Sequence, residues 1–206
     1  MTVFAITGRC HAAPPDAAWR EQLTGMLGVQ PRRIGTWAEL GLYGALRCMA
    51  DAGEATLPQD AMLMLSSQRG THVATAAVLA QARDELPMPL AFLQTQPSQL
   101  LALLAAQLAW TGNACFLAGT PATDLLRLAA AQAGADGMLI GWLDEGETVA
   151  SHWLRLRRCT ADGHGFMPAS PEAIFSPEVS HLRLMATGLQ IRTRQDVTKL
   201  NAASDE

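Results

Sequence analysis

The apolar positions of the chain switch repeatedly between strand-like runs and helical spacing. Val3 to Thr7 has strand character and opens the chain. From Asp16, a residue type suited to a helix N-cap, Trp19, Leu23, Met26 and Leu27 recur at helical spacing and predict a helix to about Leu27. Pro31-Arg32-Arg33 breaks the pattern. Thr36-Trp37-Ala38-Glu39 then has the form of a capping box, in which Thr36 accepts a backbone N–H and Glu39 reaches back. The helix it opens carries Leu40, Tyr43, Ala45, Leu46 and Met49 and stops before Gly53.

Ala61 to Leu65 is continuously apolar between turn residues, as expected of a strand buried on both faces. After the loop Ser66 to Gly70, a helix is predicted from about Thr71 to Asp84. Pro87-Met88-Pro89 is excluded from a helix interior, which predicts a short extended piece over Leu90 to Leu93. Pro97 opens a long helix through Leu100, Leu101, Leu103, Leu104 and Leu108. It is so apolar around its circumference that burial on most sides is expected. Ala114 to Ala118 reads as a strand, Gly119-Thr120-Pro121 as the turn into a helix ending near Ala133, and Gly137 to Leu143 and Ala150 to Arg157 as two further strands. Leu63, Leu65, Leu101, Leu104, Phe116 and Ile140 are the expected core. Beyond Cys159 the pattern dissolves among Pro168, Pro171 and Pro177. The expectation is an α/β domain over residues 1–158, with a mostly parallel sheet flanked by helices, and an irregular tail over 159–206.

Composition narrows the function classes. Among 206 residues the net charge is −4, which argues against a nucleic-acid binder relying on a diffuse basic surface. No apolar run reaches the length of a bilayer span, and no basic segment precedes the first apolar stretch, so a cytoplasmic protein without a signal peptide is expected. Cys10, Cys48, Cys115 and Cys159 are scattered, as suits reduced thiols rather than a disulfide framework.

The common catalytic signatures are missing: no phosphate loop, dinucleotide fingerprint, G-x-S-x-G elbow or H-E-x-x-H. His11, His72, His152, His164 and His181 have no ligand spacing, so neither a metal nor a cofactor is expected. Asp144-Glu145-Gly146-Glu147 reads as a solvated turn in preference to a carboxylate site. Arg155 and Arg157 share one strand face, and with Arg158 they read as a solvent-facing edge in preference to a site for an acidic partner.

Five segments between residues 30 and 145 together resemble the N-terminal half of the β-ketoacyl synthases. Pro31-Arg32-Arg33 resembles their "RR" segment, Ser66 to Gly70 their "S-x-x-G" turn, and Gln94-Thr95-Gln96-Pro97 their "N-T-M-P-N" segment. Gly112-Asn113, a strand and a small-residue turn resemble "G-P-N … T-A-C-A-S-G", and Gly134 to Gly141 resembles "G-x-A-D-x-x-L-x-G". The nearest type is the short, chain-length-factor-like protein associated with aryl-polyene and fatty-acid-type biosynthesis. The resemblance implies a thiolase-like fold limited to the first of two similar halves.

The departures from that pattern bear on activity. The family's nucleophilic cysteine sits at a strand-to-helix elbow, and here that position falls on Thr120 or Pro121. Proline is no nucleophile, and a threonine hydroxyl needs a base. Cys115 lies about five residues too early, inside the apolar strand. The expected function is therefore a non-catalytic partner of a full-length β-ketoacyl-carrier-protein synthase. The resemblance places partner contacts at Phe92, Gln94, Gln96, Cys115 and Phe116, by self-association or with the longer synthase, and brings in acyl carrier protein as a further partner. The alternatives are a divergent acyltransferase using Cys115 or Thr120 with His152 or His164, and a degenerate paralogue.

Overall fold

A computed structural model describes residues 2–84, 89–145, 149–160, 166–185 and 188–196. One sheet of eight strands, in the order β3-β2-β4-β5-β1-β7-β8-β6, organises the chain. The strands are β1 (Thr2–Ala12), β2 (Met62–Ser67), β3 (Ala114–Ala118), β4 (Met138–Asp144), β5 (Ala150–Cys159), β6 (Met167–Pro168), β7 (Val179–Leu184) and β8 (Leu189–Thr193). The helices are α1 (Trp19–Leu27), α2 (Thr36–Asp51), α3 (His72–Arg83), α4 (Pro89–Gln94), α5 (Pro97–Gln107) and α6 (Ala122–Gln132).

Parallel pairing is confined to β3-β2-β4, and the remaining neighbours are antiparallel. Within the block β3-β2-β4-β5-β1, only β5 opposes the common direction. The α/β class with flanking helices is as expected. Strand periodicity sorts the core into two layers. Leu63, Leu65, Leu139 and Trp153 face α1, α2 and α5. Met62, Met64, Ile140, Leu154 and Leu156 face α6 and a 3₁₀ turn at Pro171–Phe175. Among the described residues no helix is long and apolar enough to cross a membrane.

Several local expectations change in the folded chain. The first strand runs on to Ala12, because β5 pairs with it as far as Ala12, while β7 pairs only with Thr2 to Ala5. The capping box does not close: Gly35 is the N-cap of α2 and makes no side-chain bond. Arg20 takes both box residues, with Nε 3.1 Å from Glu39 Oε2 and Nη2 3.3 Å from Thr36 Oγ1. Leu90 to Leu93 is helical, within α4, because Pro89 stands at its first position, where a missing N–H costs nothing. Pro87 and Met88 lie outside the described residues. The α5 helix buries a stripe of Leu100 and Leu104, continued by Leu108, while Ala102 and Ala106 are exposed. Of the expected core, Leu63, Leu65, Leu104 and Ile140 are fully buried, whereas Leu101 and Phe116 are half-buried at the open side of the sheet.

The chain beyond Cys159 is not wholly irregular. β7 and β8 extend the same sheet past β1. Arg9 fastens this part: its guanidinium donates to the carbonyls of Ser176 and Val179 at 2.5 and 2.6 Å. Ile174, Val179 and Leu182 complete the second core layer.

Candidate functional site

The parallel strands deliver their ends to one rim of the sheet, where the β3–α6 elbow lies. Gly119, at φ +65°, makes the turn, and its N–H donates to Ser67 O at 2.8 Å. Ser66 Oγ donates to Thr120 O at 2.9 Å. Thr120 is half-buried and Pro121 exposed. Backbone contacts thus fix the elbow, and neither of its two candidate residues supplies a thiol.

The remaining catalytic candidates do not converge there. Cys115 sits in mid-β3 opposite Met64 and packs into the second core layer, where it is half-buried. His152 lies on β5, with β2 and β4 between it and β3, a separation of roughly 14 Å at strand spacing. Its ring stacks on His11, with centroids 4.4 Å apart, and against Phe175 at 5.1 Å. Burial, aided by His11, pushes its pKa down to about 4. His164 lies outside the described residues.

Two carboxylates of the rim are structural, contrary to the solvated-turn expectation. Asp144 Oδ1 accepts Ser67 Oγ at 3.2 Å and Gln68 N–H at 3.0 Å, tying the end of β4 to the end of β2. Glu145 is buried at the start of α3. Desolvation raises its pKa, while His72 and the Val73 N–H act in the opposite direction. Gly146 and Glu147 lie outside the described residues.

The arginine patch is also not a solvent-facing edge, because β5 is an interior strand. Arg155 is fully buried, its Nε 2.9 Å from Glu54 Oε2 and its Nη1 on the carbonyls of Asp136 and Leu156. Arg157 shares Glu54 from the exposed side at 3.0 Å, and Arg158 donates to Ala133 O.

A different surface collects at the open edge of the sheet. Among the described residues β3 has no neighbour on its outer side. Phe116 meets Trp37 edge-on at 5.8 Å and is half-buried, like Cys115. Phe92 is 58% exposed on α4. Gln94 and Gln96 are half-buried between α4 and α5, Gln96 donating to Thr95 Oγ1 at 3.0 Å. The five residues assigned to partner contact therefore lie on α4, on its junction with α5, and on β3. A broader signal coincides with them: the 38 residues from Leu86 to Thr123 contain no Asp, Glu, Lys, Arg or His. That run includes α4, α5 and β3.

No protein-family model matches the chain, and no curated protein matches its sequence. Solved structures do match. A chain from the complex of a ketosynthase (ApeO) with its chain length factor (ApeC) from Xenorhabdus doucetiae aligns at 11% identity, covering 93% of this chain and 98% of that one, with a TM-score of 0.55. The chain shares the thiolase-like fold of that matched chain. A type II polyketide synthase assembly, in which the acyl carrier protein AntF is in complex with its ketosynthase bound to the hexaketide, aligns at 11% identity and a TM-score of 0.56 over 77% of this chain. The ishigamide ketosynthase/chain length factor aligns at 12% and 0.54 over 76%. The chain spans 63% and 58% of the lengths of those two matched chains. The thiolase-like fold is therefore present with an elbow at Thr120-Pro121 and an uncharged open edge beside it.

Proposed function

We propose that the chain is a non-catalytic, chain-length-factor-like partner subunit of a full-length β-ketoacyl-carrier-protein synthase in fatty-acid or aryl-polyene (polyketide) biosynthesis. One observation carries the reading: the fold is kept while the elbow holds Thr120-Pro121 in place of a thiol. A cysteine at a helix N-terminus would be activated there, since the helix dipole favours a thiolate. A threonine has no such route without a base, and His152 is three strands away on β5. The described geometry gives Cys115 no role beyond packing, so nothing supports the acyltransferase alternative.

In this reading the chain contributes surface, and one wall of an acyl tunnel, to the partner that performs the condensation. It works in the cytoplasm, with acyl carrier protein reaching the assembly through the synthase. The test is decarboxylative condensation of malonyl-carrier protein by the chain alone, by a synthase encoded in the same genome, and by both together. The chain alone is expected to give no product above the no-enzyme blank, and the pair is expected to change the synthase's product length or yield. Condensation by the isolated chain that disappears in Cys115→Ala would overturn the proposal.

A further inference from the structure

We propose that the arm formed by α3 and α4, rather than the open edge of β3, carries most of the affinity for the partner, a longer chain of the same fold. This rests on the partner-subunit reading above and assigns the binding to one part of the surface.

A helix that belongs to its own domain buries a stripe against the core. α3 has twelve residues and buries none of them, although nine are Ala, Val, Leu or Thr. α4 buries none either. Among the described residues nine large apolar side chains are exposed, and five of them (Val73, Leu79, Leu90, Phe92 and Leu93) stand on these two helices. Each is 48–58% exposed. Together they present on the order of 400 Å² of apolar surface, the range of the largest patch on a monomer, which is often functional.

The arm is held in place. Thr71 Oγ1 donates to Thr95 O at 2.7 Å, joining the start of α3 to the end of α4. Gly35 closes on Gln94, so α4 also abuts the start of α2. The charge-free run begins just before α4 and continues through α5 and β3. Loss of charge is the compositional mark of an interface core; here it links α4 to α5 and β3, while α3, which carries His72 and Arg83, joins that surface through its packing on α4.

The edge alone is too small. Five residues of strand extend about 17 Å, whereas a stable interface needs roughly 800 Å² on each side. Its ends, Ala114 and Ala118, are small, and Cys115, Phe116 and Leu117 are already half-buried. β3 offers main-chain hydrogen bonds that set register, and the arm offers the apolar area. The occupant must meet the arm with an uncharged face of its own.

The test measures the dissociation constant between the full chain and a co-expressed, full-length ketosynthase from the same genome. Leu79→Glu combined with Phe92→Glu strikes the arm. Ala118→Pro strikes the edge without breaking the inner ladder: the Gly119 N–H donates inward to Ser67, so by alternation the Ala118 N–H points outward. The arm variant is expected to bind roughly 100-fold more weakly, and Ala118→Pro less than about 10-fold more weakly. Circular dichroism should show native helix content and melting in both. If the double variant melts early, Leu79→Gln and Phe92→Gln taken singly replace it, each expected to weaken binding about 10-fold. Association by the wild type that the arm variants leave unchanged overturns this inference alone. A wild type that binds no ketosynthase overturns the partner reading and this inference with it. A wild-type self-dimer that excludes the ketosynthase, made monomeric by the arm variants, overturns the assigned occupant.

Discussion

Two helices of this chain, α2 and α3, are similarly hydrophobic overall and end in opposite surroundings. α2 buries ten of its sixteen residues, and α3 none of its twelve. Hydrophobic content does not separate them; position relative to the sheet does. α2 lies across β1, β4 and β5, the centre of the sheet, and reaches it through glycines. A Cβ at Gly44 would strike Ser151 Oγ and the Trp153 ring, and one at Gly41 would strike Leu100. α3 leaves the rim at the end of β2, with Glu145 buried against its first turn, and among the described residues its main packing partner is α4. At similar hydrophobicity, the helix over the sheet becomes part of the core, and the helix without a sheet beneath it keeps its large apolar side chains at the surface.

Removing the contact beneath α2 should produce the largest effect. Trp153 is fully buried, and its indole donates to Ser151 Oγ, which in turn donates to Leu40 O at 3.0 Å. Trp153→Ala leaves a cavity under α2 and should cost about 3–5 kcal/mol of unfolding free energy, read from urea denaturation. A loss below about 1 kcal/mol would mean that α2 is not seated on β5 as described. Next in size is Glu54→Gln, just past the end of α2. Arg155 is 0% exposed and would keep only neutral acceptors, for an expected loss of about 2–3 kcal/mol. Arg157→Gln removes only the exposed partner of Glu54 and should cost under about 0.5 kcal/mol in the same assay.

The contrast between seated and unseated segments also explains what could be read from the amino-acid pattern. β2 and the five-segment order from Arg32 to Gly141 are legible because strands buried on both faces are continuously apolar. The Thr120-Pro121 elbow follows from counting onward from Gly112-Asn113. β7 and β8 are not legible because each is short, follows the proline-rich stretch to Pro177 and carries an internal arginine, whereas β5 is long enough to be read despite Arg155 and Arg157. Arg183 and Arg192 are buried, and both guanidinium groups lie over the Phe166 ring, 3.8 and 5.0 Å from its centroid, so their charge interrupts a pattern that their stems complete. The roles of Asp144 and Glu54 depend on partners 76 and 101 residues away in sequence, which no local spacing reveals. The partner surface has a signal of a different kind, the absence of charge over Leu86 to Thr123. A search for residues that do chemistry passes over it.

On the opposite face of the same strand, His152 tests how dry the second layer is. Its pKa of about 4 in the folded chain lies below the unfolded value near 6.5, because desolvation and then His11 disfavour its cation. The unfolded chain therefore binds more protons between those two values. Stability is expected to be level above pH 6.5 and to fall as pH drops toward 4. The loss should be about 1–2 kcal/mol once water at the exposed side of the ring is allowed for. His152→Phe should flatten that part of the profile in urea titrations run across pH 4–7. An unchanged slope would place the ring in water.

The smallest effect on folding should come from α3, and its smallness separates a surface from a core. Leu79 is 57% exposed, and no residue of its helix is buried. Leu79→Gln therefore removes little apolar surface that folding had withdrawn from water, and glutamine is nearly as good a helix former as leucine. The expected change in unfolding free energy for the isolated chain is under about 0.5 kcal/mol, within the range of ordinary surface substitutions. In the presence of a partner that covers α3 the same substitution must cost more, since the partner binds only the folded state and its stabilisation grows with its affinity. Melting the wild type and Leu79→Gln with and without saturating partner measures both quantities in one experiment. Equal shifts on adding partner would mean that α3 stays in water in the complex. A loss above about 2 kcal/mol without partner would mean that α3 already has a core contact of its own, which would remove the contrast with α2.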